Sequence, residues 1–413
     1  MASFASGQEP DWLTRLQSSD ADEQLSALEG LVNAPTDSIT SAVAKAVQKL
    51  ATDAESTSVR ATACRLLGEK QLLPATTIPI LIRACADQEG DPGEKVYQLA
   101  GPALAAFKEQ SIPVLRKLLT SGDPDQVIAA GFALDHVGAY AADLVDPIVE
   151  ILRRNERRTA PAMINAVKRI GPPAAKAVPE LQRYLEHEDF HIRYWTCQAL
   201  GSIGAAAAPA TKQLLVMLEK DNASVRRHAA AAVGGIGPAA GEDAVDGLIQ
   251  ALSDAVQPVQ VAAVVALGDM APVSGRALPN VQVILGKPSF NARAQAALAM
   301  WKLDPGNAEA VDLLLEQLNR EGSALEAIEA ISAVGADMKI GPEVAMALKA
   351  TAPAVRESAA LALAGMGAAA EPQLGDLRAV AAADEDEEVR EVAAAAVKQI
   401  EAAVAKARQS PSK

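Results

Sequence analysis

The sequence predicts an all-α chain, a solenoid of about twelve stacked two-helix repeats. Three observations carry that prediction. A small-residue break follows an apolar stretch at a near-constant interval. Half of the 413 residues are hydrophobic, yet only 3% are aromatic. Apolar residues recur with the helical period, and no strand-like alternation competes with it.

The interval comes first. Val137-Gly138, Ile170-Gly171, Ile203-Gly204 and Ile236-Gly237 recur every 33 residues. The same place returns at Met270-Ala271, Leu303-Asp304, Val334-Gly335, Met366-Gly367 and Ile400-Glu401, at intervals of 31 to 34. Phe107-Lys108, Leu72 and Val32 are fainter copies toward the start. A fixed period of this length marks a repeat that must stack, because two short helices cannot bury their apolar face alone. Alanine supplies much of the hydrophobic share, which suits thin layers of closely packed helices and favours helix formation directly.

Within one repeat the elements follow in order. A first helix often opens on proline (Pro113, Pro147, Pro179, Pro279, Pro342, Pro372), where the missing N–H costs nothing. A turn carries Asp189, Asp221 or Asp254, placed to cap the second helix and meet its positive end. The second helix opens on a β-branched residue and a polar one: Ile192-Arg193, Val225-Arg226, Val259-Gln260. Glycine then closes the unit, where a left-handed C-cap is expected. The stretch 87–94 predicts a longer turn in the third repeat. The array is expected to run as one continuous body over residues 10–404, between a frayed segment 1–9 and a polar tail 405–413.

Charge and composition exclude several functions. The net charge of −14 argues against DNA, RNA and anionic membrane as partners, since phosphate binding rests on Lys and Arg. Met1–Glu9 lacks a signal-peptide pattern, and no stretch of roughly twenty apolar residues spans a membrane. Cys64, Cys85 and Cys197 form no CxxC pair and lie in apolar helical stretches, so reduced buried thiols and a cytoplasmic location are expected. No phosphate loop, nucleophile elbow or Ser/His/Asp set appears, and the acidic turn Asp384–Glu388 lacks the apolar surroundings that tune a catalytic acid. The chain is therefore expected to hold no catalytic residue and no cofactor. His187-Glu188-Asp189-Phe190-His191 matches the H-E-x-x-H zinc string, but it straddles the predicted turn and has no third ligand, so no metal site is expected.

The repeat resembles the HEAT repeat in its short bacterial, PBS-lyase-like form. The Asp…Val-Arg turn and the Ala-Leu-Gly-x-Ile-Gly ending carry the likeness, in Asp189/Ile192-Arg193/Ala199–Gly204 and in Asp221/Val225-Arg226/Val233–Gly237. Val59-Arg60, Ala292-Arg293, Val355-Arg356 and Val389-Arg390 are partial copies, and the resemblance is firmest over residues 111–401. It implies that second helices line a concave groove, the usual binding surface of the family, carrying Arg60, Arg193, Arg226, Arg293, Arg356 and Arg390. The competing role for these arginines is a ladder of pairs with turn aspartates. That ladder is interrupted at Tyr97, Val127, Ala160, Gln260 and Ala324.

These readings converge on a non-catalytic scaffold or adaptor holding a protein or peptide in the groove. The candidate contacts are Arg158, His191, Arg193, Tyr194, Trp195, Arg226, Arg227 and His228. Phe190, His191, Tyr194 and Trp195 concentrate rings in a ring-poor chain, and aromatic residues with arginine are typical binding anchors. The alternative is that Phe190 or Trp195 fills a gap between helices, as is expected of Trp12 and Trp301. Two other functions compete: a HEAT-like enzyme or metal- or tetrapyrrole-handling protein, such as a phycobilin lyase-like one, and a purely structural assembly subunit. The sequence leaves oligomeric state open.

Overall fold

A computed structural model describes residues 12–87, 89, 95–287, 292–319 and 324–409. Among them every regular element is helical. The chain forms two compact units, Met1–Ala210 and Thr211–Lys413, with six described helix pairs in each. The first unit ends with the pairs Ile112–Leu119/Pro124–Val137, Val145–Arg154/Ala160–Ile170 and Val178–Tyr184/Phe190–Ile203. The second unit opens with Thr211–Lys220/Ala223–Ile236 and Glu242–Ala251/Gln257–Asp269. Within each unit the second helix of one pair packs on the second helix of the next, as the α-solenoid requires.

The core is a thin layer repeated, not one thick centre. Each pair contributes a few aliphatic side chains, such as Ile148, Leu152, Ile164 and Val167, all fully buried. Alanine lets the helices approach closely. At Gly68 a Cβ would lie 2.4 Å from the backbone of Ala103, so that position accepts no side chain at all. Cys64, Cys85 and Cys197 are buried and unbridged, as expected. Burial pushes the Cys64 and Cys85 thiols up to about 12.

The glycine breaks at 138, 171, 204 and 237 close second helices as expected, but with a different backbone. Their φ values are 58° to 77°, while ψ lies between −134° and −149°. This is the mirror-extended region rather than the left-handed helical one, and only glycine enters it without strain. The chain leaves each of these glycines straight into the 3₁₀ turn that starts the next first helix, and that exit sets ψ. Two expected breaks are absent. The helix Ala324–Met338 runs through Val334-Gly335, and Glu387–Gln409 runs through Ile400-Glu401 and on past residue 404. No proline or positive φ stops either helix there.

The aspartate caps differ between repeats. Asp189 caps Phe190–Ile203 directly, accepting from the His191 N–H at 2.9 Å. At the next turn the cap passes to Asn222, which accepts from Val225 N–H at 3.1 Å. The segment Pro124–Arg154 is long and apolar enough in composition to cross a membrane. It is three elements, however, broken at Gly138, and its Leu134, Leu144, Ile148 and Leu152 are fully buried within the unit. The expected turn at 87–94 lies, except for Asp87 and Glu89, outside the described residues, as does the segment 1–9.

Candidate functional site

The second-helix arginines resolve first. Arg60, Arg193, Arg226, Arg356 and Arg390 each turn back and donate to carbonyls of the turn preceding their own helix. Arg60 reaches Ala54 O at 2.8 Å, Arg193 reaches His187 O at 2.8 Å, and Arg226 reaches Asp221 O at 2.8 Å. Arg356 and Arg390 do the same to Ala350 O and Asp384 O, at 3.0 and 2.7 Å. Three of them also clamp an aspartate one repeat on: Arg60 to Asp87, Arg226 to Asp254 and Arg356 to Asp384. The Arg226 fork is bidentate, at 2.7 and 2.9 Å. Hydrogen bonding from Arg226 holds the Asp254 carboxyl below the usual carboxylate range. Gln260, at a gap in the arginine series, keeps half of this arrangement by donating to Asp254 O at 2.7 Å. Arg293 donates to Leu285 O at 3.5 Å. Ladder arginines are thus held by the scaffold: Arg193 by its own turn, and Arg226 by its turn and by the aspartate of the next repeat.

Four ring side chains of the first unit, Phe190, His191, Tyr194 and Trp195, do gather. All four project from the first two turns of Phe190–Ile203. The Phe190 and His191 ring centroids lie 3.9 Å apart, His191 and Trp195 6.0 Å, and Tyr194 and Trp195 5.5 Å in an edge-to-face contact. Phe190 is 40% exposed, His191 is exposed, and Tyr194 and Trp195 are half-buried. Tyr194 and Trp195 are thus partly covered, while Phe190 and His191 stand exposed. The two ends of this segment are fixed. The His191 ring Nδ1 lies 2.9 Å from Asp189 Oδ1, and the His191 N–H and ring together hold the Asp189 carboxyl below its usual range. Beneath the turn, the buried Tyr184 hydroxyl donates to Leu152 O at 2.8 Å and ties this pair to the preceding one.

Arg158 stands apart from this patch, in the turn before Ala160–Ile170, exposed and paired with Asp125 at 2.5 Å. In the second unit Arg227 is exposed and His228 is half-buried, its Nδ1 donating to Ser224 O at 2.7 Å. Of the eight candidates, then, His191, Tyr194 and Trp195 form one surface, and Arg227 and His228 lie on another helix. The H-E-x-x-H string does straddle the turn. His187 Nδ1 accepts from the Asp189 N–H at 3.0 Å, and the His187 ring stacks on Tyr184. Among the described residues, no three His, Cys, Asp or Glu side chains gather in a metal-holding group.

Sequence reasoning missed one feature. Arg227, Ala231, Pro258, Val261, Ala262 and Val265 line an open groove of about 460 Å³ in the second unit. Its signal was present: Gln257–Gly268 contains no charged residue.

In backbone geometry the chain is similar to importin beta, with a TM-score of 0.52 and 12% identity, over 95% of this chain and 62% of that one. It is similar to Kap121p bound to Nup53p, at TM-score 0.59 and 14% identity, and to Kap121p bound to Pho4p, at 0.58 and 13%. Each of these two matches covers 97% of this chain and 54% of the Kap121p chain. The chain thus spans less than two thirds of the length of these proteins, and the likeness is one of fold. No curated protein matches it in sequence. The family model for HEAT repeats matches residues 44–135, 145–234 and 245–335, well over half of the sequence. With its stacked helix pairs, its glycine breaks and its arginine–aspartate joints, the chain belongs to the HEAT-repeat family.

Proposed function

We propose that this protein is a non-catalytic scaffold or adaptor that binds a protein or peptide on the exposed faces of its second helices. The observation that carries the reading is the Phe190/His191/Tyr194/Trp195 surface. In a chain with 3% aromatic residues, four rings stand together on one helix end, anchored but open. Half-seated aromatic side chains offer large contact area at low entropic cost, which is why such residues dominate binding energy at protein interfaces. The fold likeness to Kap121p in complexes with Pho4p and Nup53p supports a protein as the partner class. Since the chain spans about half of Kap121p, the partner is defined here by chemistry alone.

The test is comparative capture. Tagged wild type, the double variant Tyr194→Ala/Trp195→Ala and a control, Val283→Ala, on a 69% exposed first-helix site, are each recovered from cells. Bound proteins are then quantified by mass spectrometry. The reading expects specific proteins to disappear from the double variant and persist with the control, while circular dichroism of all three is the same. Equal recovery on all three would refute it.

A further inference from the structure

The helix Gln257–Asp269 presents a conflict between sequence and position. From Gln257 to Gly268 it carries no charge, the composition of a helix buried on every side. Yet one side faces solvent: Pro258 is exposed, Val261 and Ala262 are half-exposed, and Val265 is 38% exposed. That side forms one wall of the 460 Å³ groove against Ala223–Ile236. Small residues make the floor, since a Cβ on Gly234 would lie 2.8 Å from Ala266 Cα. An exposed apolar trough of this kind, in a surface otherwise rich in charge, marks a binding surface.

Charge selects the occupant. Two ionised groups line the trough, Arg227 and Asp269, and one of them is engaged. Asp269 is paired with Lys302 at 2.7 Å. Arg227 lines the groove, is exposed, and among the described residues has no hydrogen bond or ion pair. A free guanidinium beside an apolar trough, in a chain with net charge −14, is a local site for a carboxylate.

We propose that this groove binds an acidic–aliphatic peptide segment of a partner protein, with a Glu or Asp on Arg227 and aliphatic side chains between Ala231 and Val265. The proposal rests on the scaffold reading and extends it to a second face with its own specificity. The full chain is panned against a random dodecapeptide phage library, and the strongest peptide is labelled and titrated by fluorescence anisotropy. Enrichment of Asp or Glu near Leu, Ile or Val is expected. Arg227→Glu should weaken that peptide about tenfold and turn the selection toward Lys and Arg, whereas Arg227→Lys keeps most of the affinity. Val265→Asp, checked for folding by circular dichroism, should weaken it at least as much. Selected peptides without acidic residues, or affinity unchanged in both Arg227→Glu and Val265→Asp, would overturn the proposal. So would failure of any peptide to bind wild type better than Val265→Asp. A peptide lost only on Tyr194→Ala/Trp195→Ala would sink this groove and leave the aromatic scaffold reading standing.

Discussion

Replacing Arg226 by alanine tests whether ladder arginines are structural joints. The side chain makes three hydrogen bonds: two to the Asp254 carboxylate at 2.7 and 2.9 Å, and one to Asp221 O at 2.8 Å. Fully buried charge-assisted bonds would each contribute roughly 1.5–3 kcal/mol, while exposed pairs contribute about 0–1. Here the side chains are 19% and 11% exposed, between those limits. Solvent screening and the entropy of a long side chain then set the loss at about 2 kcal/mol for Arg226→Ala. Gln260 supplies an internal comparison, because its amide alone still reaches Asp254 O at 2.7 Å. Arg226→Gln should therefore keep the turn bond, lose the aspartate clamp, and cost roughly 1 kcal/mol less than alanine.

Urea unfolding followed by circular dichroism measures both variants, and a cycle with Asp254→Asn isolates the pair. The pH dependence has a fixed sign. Arg226 lowers the folded-state Asp254 pKa, so the pair's contribution is fully present above the ordinary carboxylate range, near 3.9. It fades as pH falls through the lower folded value. The gap between wild type and Arg226→Ala should accordingly be constant from pH 7 to about 5 and narrow by about 1 kcal/mol in more acid solution, where only the bond to Asp221 O is left. A gap that does not narrow at acid pH, or a coupling energy of zero with Asp254→Asn, would refute the joint.

Three further outcomes follow from the geometry. Gly171→Ala should destabilise by about 2 kcal/mol, because φ 72° and ψ −136° strain any side chain, while Gly375→Ala, in a helix with open space around it, should be neutral or stabilising in the same urea assay. Tyr184→Phe removes one of the two donors to the Leu152 carbonyl, which keeps the Asn155 N–H, and should cost about 1 kcal/mol, with faster amide exchange at the end of Val145–Arg154 as the local readout. Cys64 and Cys85, with thiols raised to about 12, should react with a thiol reagent only at the rate of unfolding, so rapid labelling of the native chain would contradict their burial.

The repeat was legible because it is written in backbone requirements. A break that only glycine tolerates, a proline that opens a helix and an aspartate that caps one are local rules with residue-level signatures. The same signals misled where they were not needed: Gly335 sits inside a helix, held by packing against Ile331 and Met366. The joints were half legible. Arginine and aspartate appear at fixed positions, but their pairing one repeat on depends on how neighbouring helix pairs stack, which a linear pattern does not encode. The aromatic patch was visible as a cluster, since residues 190, 191, 194 and 195 share a helix side. The apolar trough escaped because an uncharged helix reads as core until the fold leaves one side uncovered.

Ladder and surface positions divide the labour of each second helix. The residue at the joint, Arg193, Arg226 or Gln260, always turns back into its own turn. The following two positions are released from that task, and there the repeats diverge: Tyr194-Trp195, Arg227-His228, Val261-Ala262. One pair is aromatic, one basic and one apolar, on helices whose backbones and joints are alike. Because a solenoid's stability is nearly a sum of repeat and neighbour terms, these outward pairs can change with little cost to the fold. Variation confined to positions outside the arginine–turn joint is what a recognition surface requires, and a purely structural spacer gives no reason for aromatic or aliphatic side chains to stand in water there.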